Sequence, residues 1–244
     1  MNHGLTFPKR IPEPRDMGAI EQKVFFDLSL KNYKRWFIPL VDDIHKHINF
    51  ENKRILDIAS GPGLLAKEMG TRFRKSLIFG VDTSSHAVRF ARLSCRNLKN
   101  VTFKIASAYK IPFPDKSMDL VVCKDSLHQF NYPERALREM FRVLKPGCSI
   151  YIQDLRRDLP FYLLKRSIPP KTTLQKLQYY SVRAAFTKDE ARKLIQKVCI
   201  NPRRLRIRTR KLTPHLVRKY SKIGVDSKLL REGFQARFVA VFKK

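Results

Sequence analysis

Cysteine is scarce in this chain. Cys95, Cys123, Cys148 and Cys199 are the only four in 244 residues, and no two of them form a Cys-x-x-Cys pair. That is too little for a disulfide scaffold. Reduced thiols in a cytoplasmic protein, without a metal site, are the expectation. Long apolar runs are missing as well. No stretch reaches the ~18 residues of a membrane-spanning helix. The segment from Met1 through Pro8, Lys9, Arg10, Pro12 and Pro14 lacks the apolar stretch of a secretory leader. No internal repeat or low-complexity tract is present. Acidic residues are the other shortage: 21 against 51 Lys and Arg, for a formal net charge of +30. Apolar side chains, by contrast, are plentiful. Hydrophobic residues make up 43% and aromatics 11%, which excludes a disordered basic tail. The length suits one large domain, or one domain with an elaboration.

The basic excess is uneven. Residues 1–155 carry 26 basic and 16 acidic side chains, whereas residues 156–244 carry 25 and 5. A partner drawn by that field is anionic: RNA, DNA, an acidic lipid surface touched peripherally, or a phosphorylated substrate. A surface tuned only for solubility is the plain alternative.

Short apolar runs recur between helical patterns. Arg54–Ile58, Leu77–Asp82, Val101–Ile105, Asp119–Cys123 and Ser149–Asp154 read as parallel strands buried on both faces. Helices follow Gly63 and follow Ser84 or Ser85, either of which can cap. Another begins near Pro133 and stops at Lys145-Pro146-Gly147. The alternation predicts an α/β fold with a mainly parallel sheet. An amphipathic helix is expected around Phe37–Ile48 within a residue 1–50 cap. After a core over 51–155, residues 156–186 read as a basic helical insertion. Within 187–244, a helix capped by Thr187 and Glu190 precedes two antiparallel strands, Arg204–Lys211 and Phe238–Phe242, that close one edge of the sheet.

The informative segment is Arg54-Ile55-Leu56-Asp57-Ile58-Ala59-Ser60-Gly61-Pro62-Gly63-Leu64. A strand ends in an acid, turns through Gly-x-Gly and enters a helix. Glycine lets the backbone turn and approach a ligand closely. Asp57 stands at the carboxyl end of a strand, where open α/β sheets bind ligands, and Asp82 ends the next strand, where an acid accepts both hydroxyls of a ribose. Together they point to a nucleoside-bearing cofactor. Gly61 through Ala66 also fits the dinucleotide fingerprint, so an NAD-dependent dehydrogenase competes. Against it, Asp57 just before the turn would repel a pyrophosphate and suits an amine-bearing ligand. No second nucleotide-binding half follows.

From Arg54 to Asp154 the sequence resembles the class I S-adenosylmethionine-dependent methyltransferases, in particular the ubiquinone/menaquinone-biosynthesis C-methyltransferases. The resemblance rests on Leu56–Gly63, Gly80-Val81-Asp82-Thr83-Ser84, Ile111-Pro112-Phe113-Pro114-Asp115, Ser117–Val122 and Leu144-Lys145-Pro146-Gly147, in that order. It implies a Rossmann-like, seven-stranded sheet of order 3-2-1-4-5-7-6 with helices on both faces and a basic helical lid. It implies S-adenosylmethionine as cofactor. Asp57 would anchor its methionine end near Gly61 and Gly63, Asp82 its ribose, and Thr83 its adenine. Ala59 replaces a common glycine. Ser107 and Ala108 stand where the family usually has Asp-Ala. Lys124 joins this cofactor set.

Methyl transfer needs a base only if the nucleophile must lose a proton. His128 is the best base by ordinary pKa, with Asp125 and Tyr109 as further substrate-facing groups. Phe25, Phe26, Tyr33, Phe161, Tyr162, Tyr179 and Tyr180 are available to line a lid over an apolar or planar small acceptor. The alternative is an RNA methyltransferase, or a non-catalytic nucleic-acid-binding relative. In that reading Arg203, Arg204, Arg206, Arg208 and Arg210, with Arg156, Arg157, Lys165 and Arg166, would grip phosphates.

Overall fold

The apolar pentads become the centre of one seven-stranded sheet. In the computed structural model, residues 9–13, 18–48, 50–158, 171–199 and 202–244 are described. The strands are β1 (Arg54–Ile58), β2 (Leu77–Asp82), β3 (Val101–Ile105), β4 (Met118–Lys124), β5 (Leu144–Leu155), β6 (Arg203–Thr209) and β7 (Arg237–Lys243). Their order is β3-β2-β1-β4-β5-β7-β6, as the resemblance implies. The first five run parallel, and β7 lies antiparallel between β5 and β6. Strand order reverses between β1 and β4, and the carboxyl ends there form the crevice in which such sheets hold ligands.

The period-2 alternation of each strand feeds two cores. Leu56, Ile58, Val121, Cys123, Ile150 and Ile152 face one side, against α6 (Pro133–Val143) and α8 (Lys188–Val198). Ile55, Leu120, Val122 and Tyr151 face the other, against α3 (Ile38–His45), α4 (Leu64–Arg72) and α5 (Ser85–Ser94). Ser84 caps α5 by accepting the Ala87 amide at 3.2 Å. Thr187 and Glu190 form the capping box of α8. No described helix is long and apolar enough to cross a membrane.

The peripheral elements differ more from expectation. The N-terminal region forms α1 (Ala19–Lys31) and α2 (Tyr33–Trp36) before a shorter α3 than the pattern suggested. Lys145-Pro146-Gly147 is not simply a helix stop, because α6 ends at Val143 and β5 begins at Leu144, paired with Met118. The insertion contributes α7 (Thr173–Ala184). Phe161, Tyr162, Lys165 and Arg166 lie outside the described residues. Two helices between β6 and β7 escaped the sequence reading: α9 (Pro214–Ser221), capped by Thr213, and α10 (Ser227–Gln235), capped by Asp226. They bury Tyr220, Leu230 and Phe234 in a small core of their own.

The arginine ladder on β6 is a correction. Arg203, Arg204 and Arg206 are exposed, but Arg208 and Arg210 turn inward. Asp43, itself buried on α3, accepts from Arg208 at 2.8 Å and from the Tyr151 hydroxyl at 2.7 Å. Arg210 donates to the Pro39 carbonyl at 2.7 Å, and its guanidinium lies 3.8 Å from the centre of the Phe234 ring. Those two cations are fastened to the fold. The Arg156 guanidinium is likewise engaged by Asp158, and that of Arg157 by Glu190.

Candidate functional site

The carboxyl ends of β1, β2 and β4 open into a cleft of about 680 Å³. The turn after β1 shapes it. Gly61, at φ +51°, has nothing within 4 Å of where a Cβ would stand, so its missing side chain leaves the cleft floor open. Gly63, at φ +73°, serves packing instead, since a Cβ would come within 2.6 Å of the Phe103 ring and 2.7 Å of the Ala91 methyl. Ala59, where the resemblance expects glycine, is also left-handed at φ +52°, a conformation in which an L side chain is strained.

Asp57 borders this cleft almost wholly buried, and its Oδ2 has no hydrogen-bond partner. Burial pushes its carboxyl up to about 8, against the pull of Lys124 and with the Asp82 charge adding to the rise. Asp82 is differently held. Its carboxylate accepts the Gly61 amide at 2.8 Å and the Ser84 amide at 2.9 Å, which fixes it at the cleft wall. Thr83, Ser107, Ala108 and Tyr109 border the same space, and the Ser107 hydroxyl accepts the Tyr109 amide at 3.1 Å. Helix α1 lies alongside. Its Gln22 accepts from the Ser84 hydroxyl at 2.9 Å, and its Phe26 ring stacks on Phe90 at 4.8 Å.

A second cavity of about 330 Å³ shares Phe25, Lys124, Asp125 and Gln129 with the first. Its walls come from α1, α2, α7 and α10. Phe25 lines it, but Tyr33, Tyr179 and Tyr180 do not; Leu174, Leu177 and Val182 take that part. Tyr33 donates instead to Glu68 at 2.5 Å.

The candidate bases are engaged elsewhere. His128 is buried, with Nδ1 at 2.5 Å from Asp154 and Nε2 at ion-pair distance, 3.5 Å, from Glu13. Burial alone would lower its pKa, but the two carboxylates raise it to about 10. It is an imidazolium at neutral pH and has no free lone pair with which to take a proton. Asp125 receives both Arg237 (2.7 and 3.0 Å) and Lys124 (2.7 Å). Burial would raise this carboxyl, yet those cations hold it well below the ordinary carboxylate range. Tyr109 borders only the larger cleft, where its ring meets Phe130 and Tyr132 edge-on. Sequence reasoning missed Glu13, Arg35, Trp36, Asp154 and Arg237. The carboxylate–cation pairs among them join segments far apart in the chain, and no local spacing announces them.

Five buried side-chain polar atoms make no hydrogen bond among the described residues: Ser29 Oγ, Asp57 Oδ2, Ser60 Oγ, Arg35 Nε and His128 Nε2, the last meeting Glu13 only as an ion pair. The first three border the larger cleft and the last two the smaller cavity. Buried polar groups are normally satisfied by protein, water or ligand, and the residues that carry these atoms all stand on the walls of the two spaces.

Residues 56–152 match the family described as "Methyltransferase domain". This segment is a methyltransferase domain. It has the class I fold, and S-adenosylmethionine is the cofactor of that family. The dehydrogenase alternative falls, since the sheet closes with antiparallel β7 rather than a second nucleotide-binding half. The fatty-acid O-methyltransferase of Mycolicibacterium smegmatis is 31% identical over 122 residues, 50% of this chain and 44% of that protein. The ubiquinone/menaquinone biosynthesis C-methyltransferase of Yersinia pestis is 32% identical over 111 residues, 44% of each chain. The matched part of this chain thus spans less than half the length of these curated relatives. The plantazolicin methyltransferase BamL, solved with S-adenosylhomocysteine, superposes with a TM-score of 0.67 at 17% identity. It covers 91% of this chain and 90% of its own, a likeness of fold.

Proposed function

We propose that this protein transfers a methyl group from S-adenosylmethionine to a small, apolar acceptor. The observation that carries the reading is the distribution of unsatisfied buried atoms: all of those found among the described residues border two adjoining cavities. The larger suits the donor. Asp57 would take the α-amino group on its unpartnered oxygen, and Asp82, already oriented by two amides, would accept the ribose hydroxyls. Ser107, Ala108 and Thr83 would wall the base. When bound, the cofactor supplies an electrophilic methyl group on a sulfonium with a good leaving group. The smaller cavity suits the acceptor, with leucines and aromatics that would hold it against the shared wall at Lys124 and Asp125.

With His128 charged and Asp125 ion-paired, this site works by proximity and orientation rather than by proton abstraction. The names of the fatty-acid and quinone relatives support an apolar acceptor. Labelled methyl donor, incubated with the protein and separated lipid-soluble and RNA fractions of a cell extract, tests the reading. Label is expected in the lipid-soluble fraction. Label confined to RNA, or in neither fraction, would overturn it.

A further inference from the structure

Among the described residues, one cation on the wall of the smaller cavity has no ion pair. Of the cationic side chains on its wall, Lys124 and Arg237 are paired with Asp125, and His128 with Asp154 and Glu13. Arg210 is fastened to Pro39 and lies 3.7 Å from Asp43. Arg35 differs. It has no ion pair with any described residue, and its buried Nε has no acceptor. Glu232 on the same wall, and Asp226, attract it from beyond ion-pair distance, and Arg237 repels it. The contact it does make is with the neighbouring Trp36 ring, 5.8 Å from its guanidinium carbon.

Arg35 is only partly buried, but its Nε is buried without an acceptor, so an anion in the cavity would satisfy a donor that the fold leaves open. The planar guanidinium fork of donors matches a carboxylate. An apolar stretch of the wall, from Phe25, Leu28, Leu174, Leu177 and Val182, matches a hydrocarbon body. We infer that the acceptor is an apolar carboxylic acid whose carboxylate pairs with Arg35 while its body lies along this wall. The inference rests on the methyltransferase reading above and narrows its substrate. It also fits the missing base. A carboxylate is ionised at neutral pH, so its oxygen can bond to the methyl carbon as the sulfur–carbon bond breaks. The bonding pair stays on sulfur, and no proton needs placing.

Trp36 is the single tryptophan of the chain and lines this cavity, so its emission reports occupancy directly. Decanoate and methyl decanoate, titrated into the full chain saturated with S-adenosylhomocysteine, test the inference. Decanoate should bind about tenfold more tightly than its ester, the discrimination expected of a charge-assisted pair. Arg35→Met should abolish that preference while keeping S-adenosylhomocysteine binding, read separately by calorimetry. Equal binding of acid and ester, or an undiminished preference in Arg35→Met, would overturn the inference and leave the donor site standing. Failure of the wild type to bind S-adenosylhomocysteine would instead sink the methyltransferase reading.

Discussion

Asp57 concentrates the chemistry of the proposed donor cleft in one carboxyl group. Burial pushes it up to about 8, so at pH 7 the empty protein holds it mostly protonated. A cationic amino group beside Oδ2 favours the ionised form and draws the pKa down. Donor binding at pH 7 should therefore release close to one proton, and affinity should rise as pH increases from 6 to 8. Calorimetry in two buffers of different ionisation enthalpy measures the release. Asp57→Asn should remove it and weaken binding roughly ten- to hundredfold, the worth of a hydrogen bond to a charged group. A wild type that binds without proton release would contradict this role. The same scale explains why His128 misleads as a base. Its ordinary pKa suits the task, but Asp154 arrives from β5 and Glu13 from the N-terminal segment, and together they keep it charged.

Among the elements, the parallel strands were legible because burial on both faces leaves unbroken apolar runs, and the turn at Gly61–Gly63 because few residues can make it. The strand ends carrying Asp57 and Asp82 followed from those two signals. The arginines of β6 read in sequence as a surface ladder because alternation alone cannot reveal a partner 165 residues away. Asp43 is that partner, and it ties α3 to both β5 and β6. Removing one member of a buried charged pair leaves the other uncompensated, so Asp43→Asn should destabilise the fold by about 3 kcal/mol. Urea unfolding measures it, and a change below about 1 kcal/mol, the range of exposed pairs, would contradict the account. The wall of the smaller cavity was illegible for a related reason. α1, α2, α7 and α10 meet there from distant parts of the chain, and Arg237 reaches Asp125 across 112 residues.

At the scale of the whole molecule, the +30 charge divides into cations spent on the fold and cations that face ligands or solvent. Arg208, Arg210 and Arg237 belong to the first group, pairing with buried aspartates. The surrounding positive field lowers the free energy of an anion anywhere near the protein, in keeping with an acid drawn toward the second cavity. The central claim is that the crevice at the strand ends binds S-adenosylmethionine. Calorimetric titration of S-adenosylhomocysteine into the wild type and Asp82→Ala tests it most directly. The account predicts one site per chain in the wild type and at least tenfold weaker binding in the variant. A wild-type protein that gives no binding heat at any temperature tried, or an Asp82→Ala variant that binds as tightly, would contradict it.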